Sequence, residues 1–151
     1  MKPLLILLSV FLLSNIAIKL LTQKYDLIVS ARIAMFVMLC FTAISHFVFT
    51  KGMTMMIPSI IPFKIELVYV TALIEIILGI GLLIPNYSVN AAWILIVFFL
   101  ILLPANIYAA INHIDFQKGT LNGNGISYLW FRVPLQIFFI AWTYLCAIKI
   151  W

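Results

Sequence analysis

The chain is 151 residues long, 66% hydrophobic and only 9% charged, with a mean hydropathy of +1.25. A soluble domain carries about 25% charged and about 45–50% apolar residues, so an ordinary soluble globular protein is excluded, and the same hydrophobicity excludes disorder. The 9 basic residues against 4 acidic ones give a net charge of +5. They stand singly near the ends of apolar runs, which points to anionic lipid headgroups and away from nucleic acid.

Apolar runs of about 20 residues, the length that crosses a bilayer as a helix, follow one another along the chain. The first runs from Pro3 to about Leu21 behind Met1-Lys2. It exceeds a 7–15-residue signal core and no small-x-small cleavage site follows it, so it is expected to be a retained helix, with cleavage as the alternative. The second spans about Ile28 to Phe49, with Arg32 near its start and His46 near its end; the third spans about Phe63 to Ile84, with Glu66 first and Glu75 in the middle. Pro85-Asn86-Tyr87-Ser88 makes a tight turn. The fourth run, about Val89 to Ile111, carries Pro104 and Asn106. After a polar stretch from Asn112 to Tyr128, the fifth runs from about Leu129 to Ile150 with Arg132, Pro134 and Gln136.

The apolar positions show no period of two, so a membrane barrel is excluded and helices remain the way to satisfy the backbone in lipid. The expected fold is an all-α integral membrane protein. Lys2, Lys51, Lys64, Lys118 and Arg132 fall on one side and Lys19, Lys24, Arg32 and Lys149 on the other, a near-even balance that sets no orientation.

Polar residues inside spans carry the functional signal, because they face the bundle interior and pair. A lone Glu75 carboxylate at mid-span is costly when charged, so it is expected to be protonated or paired. Arg32, entering from the opposite loop, is the expected partner in a buried Arg32–Glu75 pair, read as fixing the packing or as serving function. On the other membrane face His46, Glu66, Asn106, His113, Arg132 and Gln136 gather at run ends, and are expected to converge on a polar pocket for a quinone, a lipid headgroup or a metal. Ligation of haem by His46 and His113 is the weaker reading, since two histidines on one side recur by chance. Pro104 frees a carbonyl one turn earlier, which Asn106 could satisfy unless it bonds to another helix. Trp93, Trp130, Trp142, Tyr128 and Trp151 suit headgroup belts or packing, and Gly79 and Gly81 a close helix approach. Cys40 and Cys146 read as buried small hydrophobes, not as a disulfide or a metal site. The chain lacks a P-loop, a dinucleotide fingerprint, HExxH, CxxC and GxSxG, so no catalytic residue and no metal site is assigned.

Arg32 with His46-Phe47, Pro58-Ser59-Ile60-Ile61-Pro62, Val68-Tyr69, Glu75 and Gly79-Ile80-Gly81-Leu82-Leu83-Ile84-Pro85 resemble, in order and spacing, the DoxX-like family of small integral membrane proteins. Ala91-Ala92-Trp93, Pro104-Ala105-Asn106-Ile107-Tyr108, Leu129-Trp130-Phe131-Arg132-Val133-Pro134-Leu135-Gln136 and Ala141-Trp142 continue the likeness to the end of the chain. The chain departs from the pattern in its first run, and in Phe36 and Thr42-Ala43 where glycine-containing patterns are common. The resemblance implies a four-helix transmembrane bundle over 28–151, preceded by an extra N-terminal transmembrane helix and first loop over 1–27. Relatives of that kind include a small subunit associated with thiosulfate:quinone oxidoreduction and an accessory protein of methylamine utilisation. The expected function is an accessory or redox-associated subunit of a bacterial inner membrane, binding a quinone, lipid or other small amphiphile in a polar intramembrane pocket. The alternatives are an assembly factor or chaperone for a partner membrane protein and, third, a small transporter.

Overall fold

The computed structural model describes residues 2–149; Met1, Ile150 and Trp151 lie outside the described residues, so the expected belt position of Trp151 and the last residue of the fifth run have no structural counterpart. The described chain is all-helical: α1 (Lys2–Thr22), α2 (Leu27–Val48), α3 (Thr50–Met55), α4 (Lys64–Leu83), α5 (Ser88–Ile111), a 3-10 turn (Gly125–Tyr128) and α6 (Leu129–Ala147). Five of these segments, α1, α2, α4, α5 and the 3-10 turn with α6, are long and apolar enough to cross a membrane. The short α3 was hidden in the sequence, where its Thr, Lys and Gly read as a loop.

Local chemistry sets the ends. Gln23 in the left-handed region (φ 60) stops α1, and the Asp26 carboxylate accepts the Val29 N–H (2.9 Å) as the cap of α2. Ile84 is extended before Pro85 and closes α4. His113, at φ 53, occupies the left-handed position after α5: its N–H reaches the Ala110 carbonyl (3.2 Å) and the next N–H, of Ile114, reaches Ala109 (2.8 Å). That pair of bonds is a Schellman closure.

Helix α2 is the hub. It packs against α1, α4 and α6, while α5 packs against α4 and α6. The shared core holds Met35, Met38 and Leu39 of α2, Leu78 and Leu82 of α4, Leu95 and Phe99 of α5 and Phe139 of α6, with Leu7 of α1 fully buried against them. Small residues permit close approach at the seams. A Cβ at Gly79 would lie 2.9 Å from Phe36 Cδ2, and one at Gly81 would lie 2.8 Å from the Ala91 Cβ. Large apolar side chains such as Leu13, Ile16 and Leu20 of α1, Ile77 of α4 and Ile101 of α5 stand on the outside. In water that surface would aggregate; in lipid it is the required one.

On the face holding the N-terminus, the Asn112–Asn124 loop folds down onto α3. Asp115 organises it, accepting the N–H groups of Gln117 (3.0 Å) and Lys118 (3.2 Å) on Oδ1 while its backbone pairs with Thr120. The Phe116 ring meets Phe49 edge-on (6.2 Å between centroids), and the Phe116 carbonyl presses on Gly52, where a Cβ would overlap it.

Candidate functional site

The sequence places Thr42 and His46 one turn apart on one face of α2, and Thr71 and Glu75 one turn apart on one face of α4. The two helices run antiparallel, so these faces meet in reverse order. Thr42 Oγ1 donates to Glu75 Oε2 (2.9 Å), His46 Nδ1 lies 3.2 Å from Thr71 Oγ1, and His46 Nε2 lies 3.5 Å from Glu75 Oε1. The His46 and Glu75 side chains are 12% and 5% exposed; Glu75 is buried and Thr42, His46 and Thr71 are half-buried between the two helices.

Its protons can be followed. The Thr71 hydroxyl has the Val68 carbonyl within donating reach (2.8 Å); when it donates there, its oxygen can accept only from the His46 tautomer that carries a proton on Nδ1. This orients Nε2 toward the carboxylate. Beside this seam Phe47 and Tyr69 stack with centroids 5.2 Å apart and planes 16° apart, both exposed on the outside of the helices.

The expected Arg32–Glu75 pair does not form. Glu75 sits opposite Thr42, and Arg32 lies roughly 15 Å back along α2 at 1.5 Å per residue, beyond the reach of its side chain. Arg32 Nε donates instead to the Cys146 carbonyl (2.9 Å) in the last turn of α6. Carbonyls there lack helical partners and the helix end is negative.

The expected pocket of His46, Asn106, His113, Arg132 and Gln136 is likewise divided. His46 belongs to the α2–α4 seam. Asn106 Nδ2 donates to Gln136 Oε1 (3.4 Å), and Gln136 Nε2 donates to the Phe99 carbonyl, in the stretch of α5 that Pro104 perturbs. Asn106 therefore bonds across to α6. His113 is exposed in the loop, its Nδ1 3.4 Å from the Gly123 carbonyl. Arg132 Nη1 donates to the Tyr128 hydroxyl (3.1 Å), and its guanidinium lies 5.9 Å from the Phe116 ring centroid, so it clamps the loop docked on α3. Glu66 is exposed in the first turn of α4, where a carboxylate favours the helix start.

Sequence reasoning missed Thr42 and Thr71 as members of the site. The available signal was the pair of four-residue spacings, Thr42 to His46 and Thr71 to Glu75, which puts two polar groups on one face of each apolar helix. It also missed Trp142, whose Nε1 donates to the Ala31 carbonyl (3.1 Å) and whose ring meets Phe11 edge-on (5.1 Å), joining α6 to both α2 and α1. Cys40 and Cys146 are free thiols. Among the described residues no group of three or more His, Cys, Asp or Glu side chains is placed to hold a metal ion.

Two cavities of ≈ 280 Å³ open on the surface. One, among Asn124, Ser127, Tyr128 and Phe131, belongs to the loop at the start of α6. The other is apolar and lies between α1, α2 and α6. His46, Asn106, His113, Arg132 and Gln136 line neither.

Comparison with curated proteins finds no match, and neither does comparison with solved structures. Residues 35–147, from within α2 to the end of α6, match the family model described as a domain of unknown function, DUF8561, and the chain belongs to that family.

Proposed function

We propose that this chain is an accessory or redox-associated membrane subunit that binds a small amphiphile, a quinone foremost, at the α2–α4 seam. The observation that carries this reading is the buried His46–Glu75 pair, 3.5 Å apart and flanked by Thr42 and Thr71. Ionisable residues within spans mark ligand sites and proton relays. A quinone head presents carbonyl oxygens that accept hydrogen bonds, and the imidazole and hydroxyls of this seam are groups able to donate them. Phe47 and Tyr69, stacked on the same seam, offer a flat aromatic head a surface beside that pair.

In this reading α2, α4, α5 and α6 are a four-helix bundle and α1 is an added helix. The cycle of neighbours, from α2 to α4, α5, α6 and back to α2, supports it. So does the family match, which starts inside α2 and leaves α1 out. Kinship with DoxX-like proteins is proposed on the residue patterns alone. A bacterial inner membrane is the proposed location, because outer membranes of that type hold barrels.

Native mass spectrometry of the protein extracted gently from its own membrane tests the function. A quinone mass retained by the wild type and lost in His46→Ala is the expected result. A retained partner polypeptide with no small molecule would overturn it in favour of an assembly factor.

A further inference from the structure

The apolar cavity between α1, α2 and α6 has walls from Phe11, Leu27, Ile28, Ala31, Trp142 and Leu145. It lies among helices long and apolar enough to cross a membrane, where hydrocarbon would surround and can fill it. The Trp142 N–H is committed to the Ala31 carbonyl. The remaining wall residue, Cys146, gives its carbonyl to Arg32 Nε. The other N–H donors of the Arg32 guanidinium have no protein acceptor among the described residues, and no described carboxylate pairs with it. Asp26, the acidic residue nearest in sequence, spends Oδ1 on the Val29 N–H. Lys24 adds a second positive charge in the loop before α2.

A half-buried guanidinium inside a span needs an anion, and its planar donor array fits a phosphate. We infer that this cavity is a binding site for an anionic phospholipid, with one acyl chain in the groove and the phosphodiester on Arg32. Arg32 is not itself a wall residue; its Nε bond to the carbonyl of the wall residue Cys146 sets the guanidinium next to that wall. Phosphatidylglycerol satisfies the site fully, whereas phosphatidylcholine brings a trimethylammonium that competes with Arg32 for the phosphate. The site is independent of the His46–Glu75 seam and stands whether or not that seam binds a quinone.

The test is native mass spectrometry of the full chain titrated with phosphatidylglycerol or phosphatidylcholine of identical acyl chains. One phosphatidylglycerol is expected to bind about tenfold more tightly than phosphatidylcholine, because its phosphodiester has no cation of its own to compete with Arg32. Arg32→Gln should erase that preference and Arg32→Lys should keep most of it. Ala31→Phe, which fills the groove and leaves the charge, should weaken both lipids. Equal binding of the two lipids by the wild type, or an unchanged preference in Arg32→Gln, would overturn the proposal. Should Arg32→Gln fail to fold, a phosphatidylglycerol carrying a photoreactive acyl chain decides on the wild type alone. Labelling concentrated at Leu27, Ile28 and Leu145 supports the site, and labelling spread evenly over the exposed helix faces removes it.

Discussion

His46 Nε2 stands 3.5 Å from Glu75 Oε1 because α2 and α4 cross antiparallel with Thr42 opposite Glu75 and Thr71 opposite His46. Each helix brings one hydroxyl and one ionisable group, and the reversal of direction gives each ionisable group a hydroxyl of the other helix. The four side chains are one network, so removing any of them changes the environment of the rest.

The first prediction concerns energetic coupling in that network. His46→Ala and Glu75→Ala should each destabilise the fold by about 1–3 kcal/mol, because each leaves a buried polar group short of a partner. The double variant should cost less than the sum, with a coupling of about 1 kcal/mol. Reversible unfolding in mixed micelles measures all three, and additive losses would show that the two residues do not act as a pair.

Gly79 and Gly81 should differ in their tolerance of a methyl group. At Gly79 the added Cβ meets Phe36 Cδ2 at 2.9 Å, and rotation of the ring can move that edge aside. At Gly81 it meets the Ala91 Cβ at 2.8 Å, which has no freedom to move. Gly81→Ala should therefore force α4 and α5 apart and cost about 1–3 kcal/mol as overpacking, while Gly79→Ala should be closer to neutral. The same unfolding assay ranks them, and the reverse order would refute this account of the seams.

On the α5–α6 seam Gln136 does more than Asn106. Its amide donates to the Phe99 carbonyl while its oxygen accepts from Asn106 Nδ2 at 3.4 Å. Gln136→Leu should lose about 1–2 kcal/mol, and Asn106→Ala less, since the bond to Phe99 survives it. Equal losses would mean that the longer Asn106 contact carries the seam.

The loop docked on α3 gives a prediction of local order. Gly52→Ala places a methyl on the Phe116 carbonyl, so the loop must lift away and release the contacts of Phe116 with Phe49 and Arg132. Trypsin cleavage after Lys118 and amide exchange across residues 112–124 should rise severalfold, with the exchange of α2 and α4 unchanged. His46→Ala should leave the loop as protected as in the wild type.

The sequence alone determined that this is an all-helical chain with segments apolar enough to span a membrane. Hydropathy and length are local properties, and the backbone in hydrocarbon has few alternatives to a helix. The run limits fell close to the observed helix ends because Asp26, Ile84-Pro85 and the break at His113 act through their own backbone neighbours. Partner choice was not local. Whether Glu75 meets Arg32 or His46 depends on the register in which α2 and α4 cross, and Gly79 lies against Phe36 and Leu39 on that seam. A membrane-face argument put His46, Asn106, His113, Arg132 and Gln136 at similar depth, but depth gives one coordinate and says nothing of which seam a side chain enters. Tertiary structure sent His46 to α4, Gln136 to α5, Arg132 to the loop and Arg32 to the end of α6, since each polar group in a low-dielectric interior settles where a complementary group lies within hydrogen-bond reach.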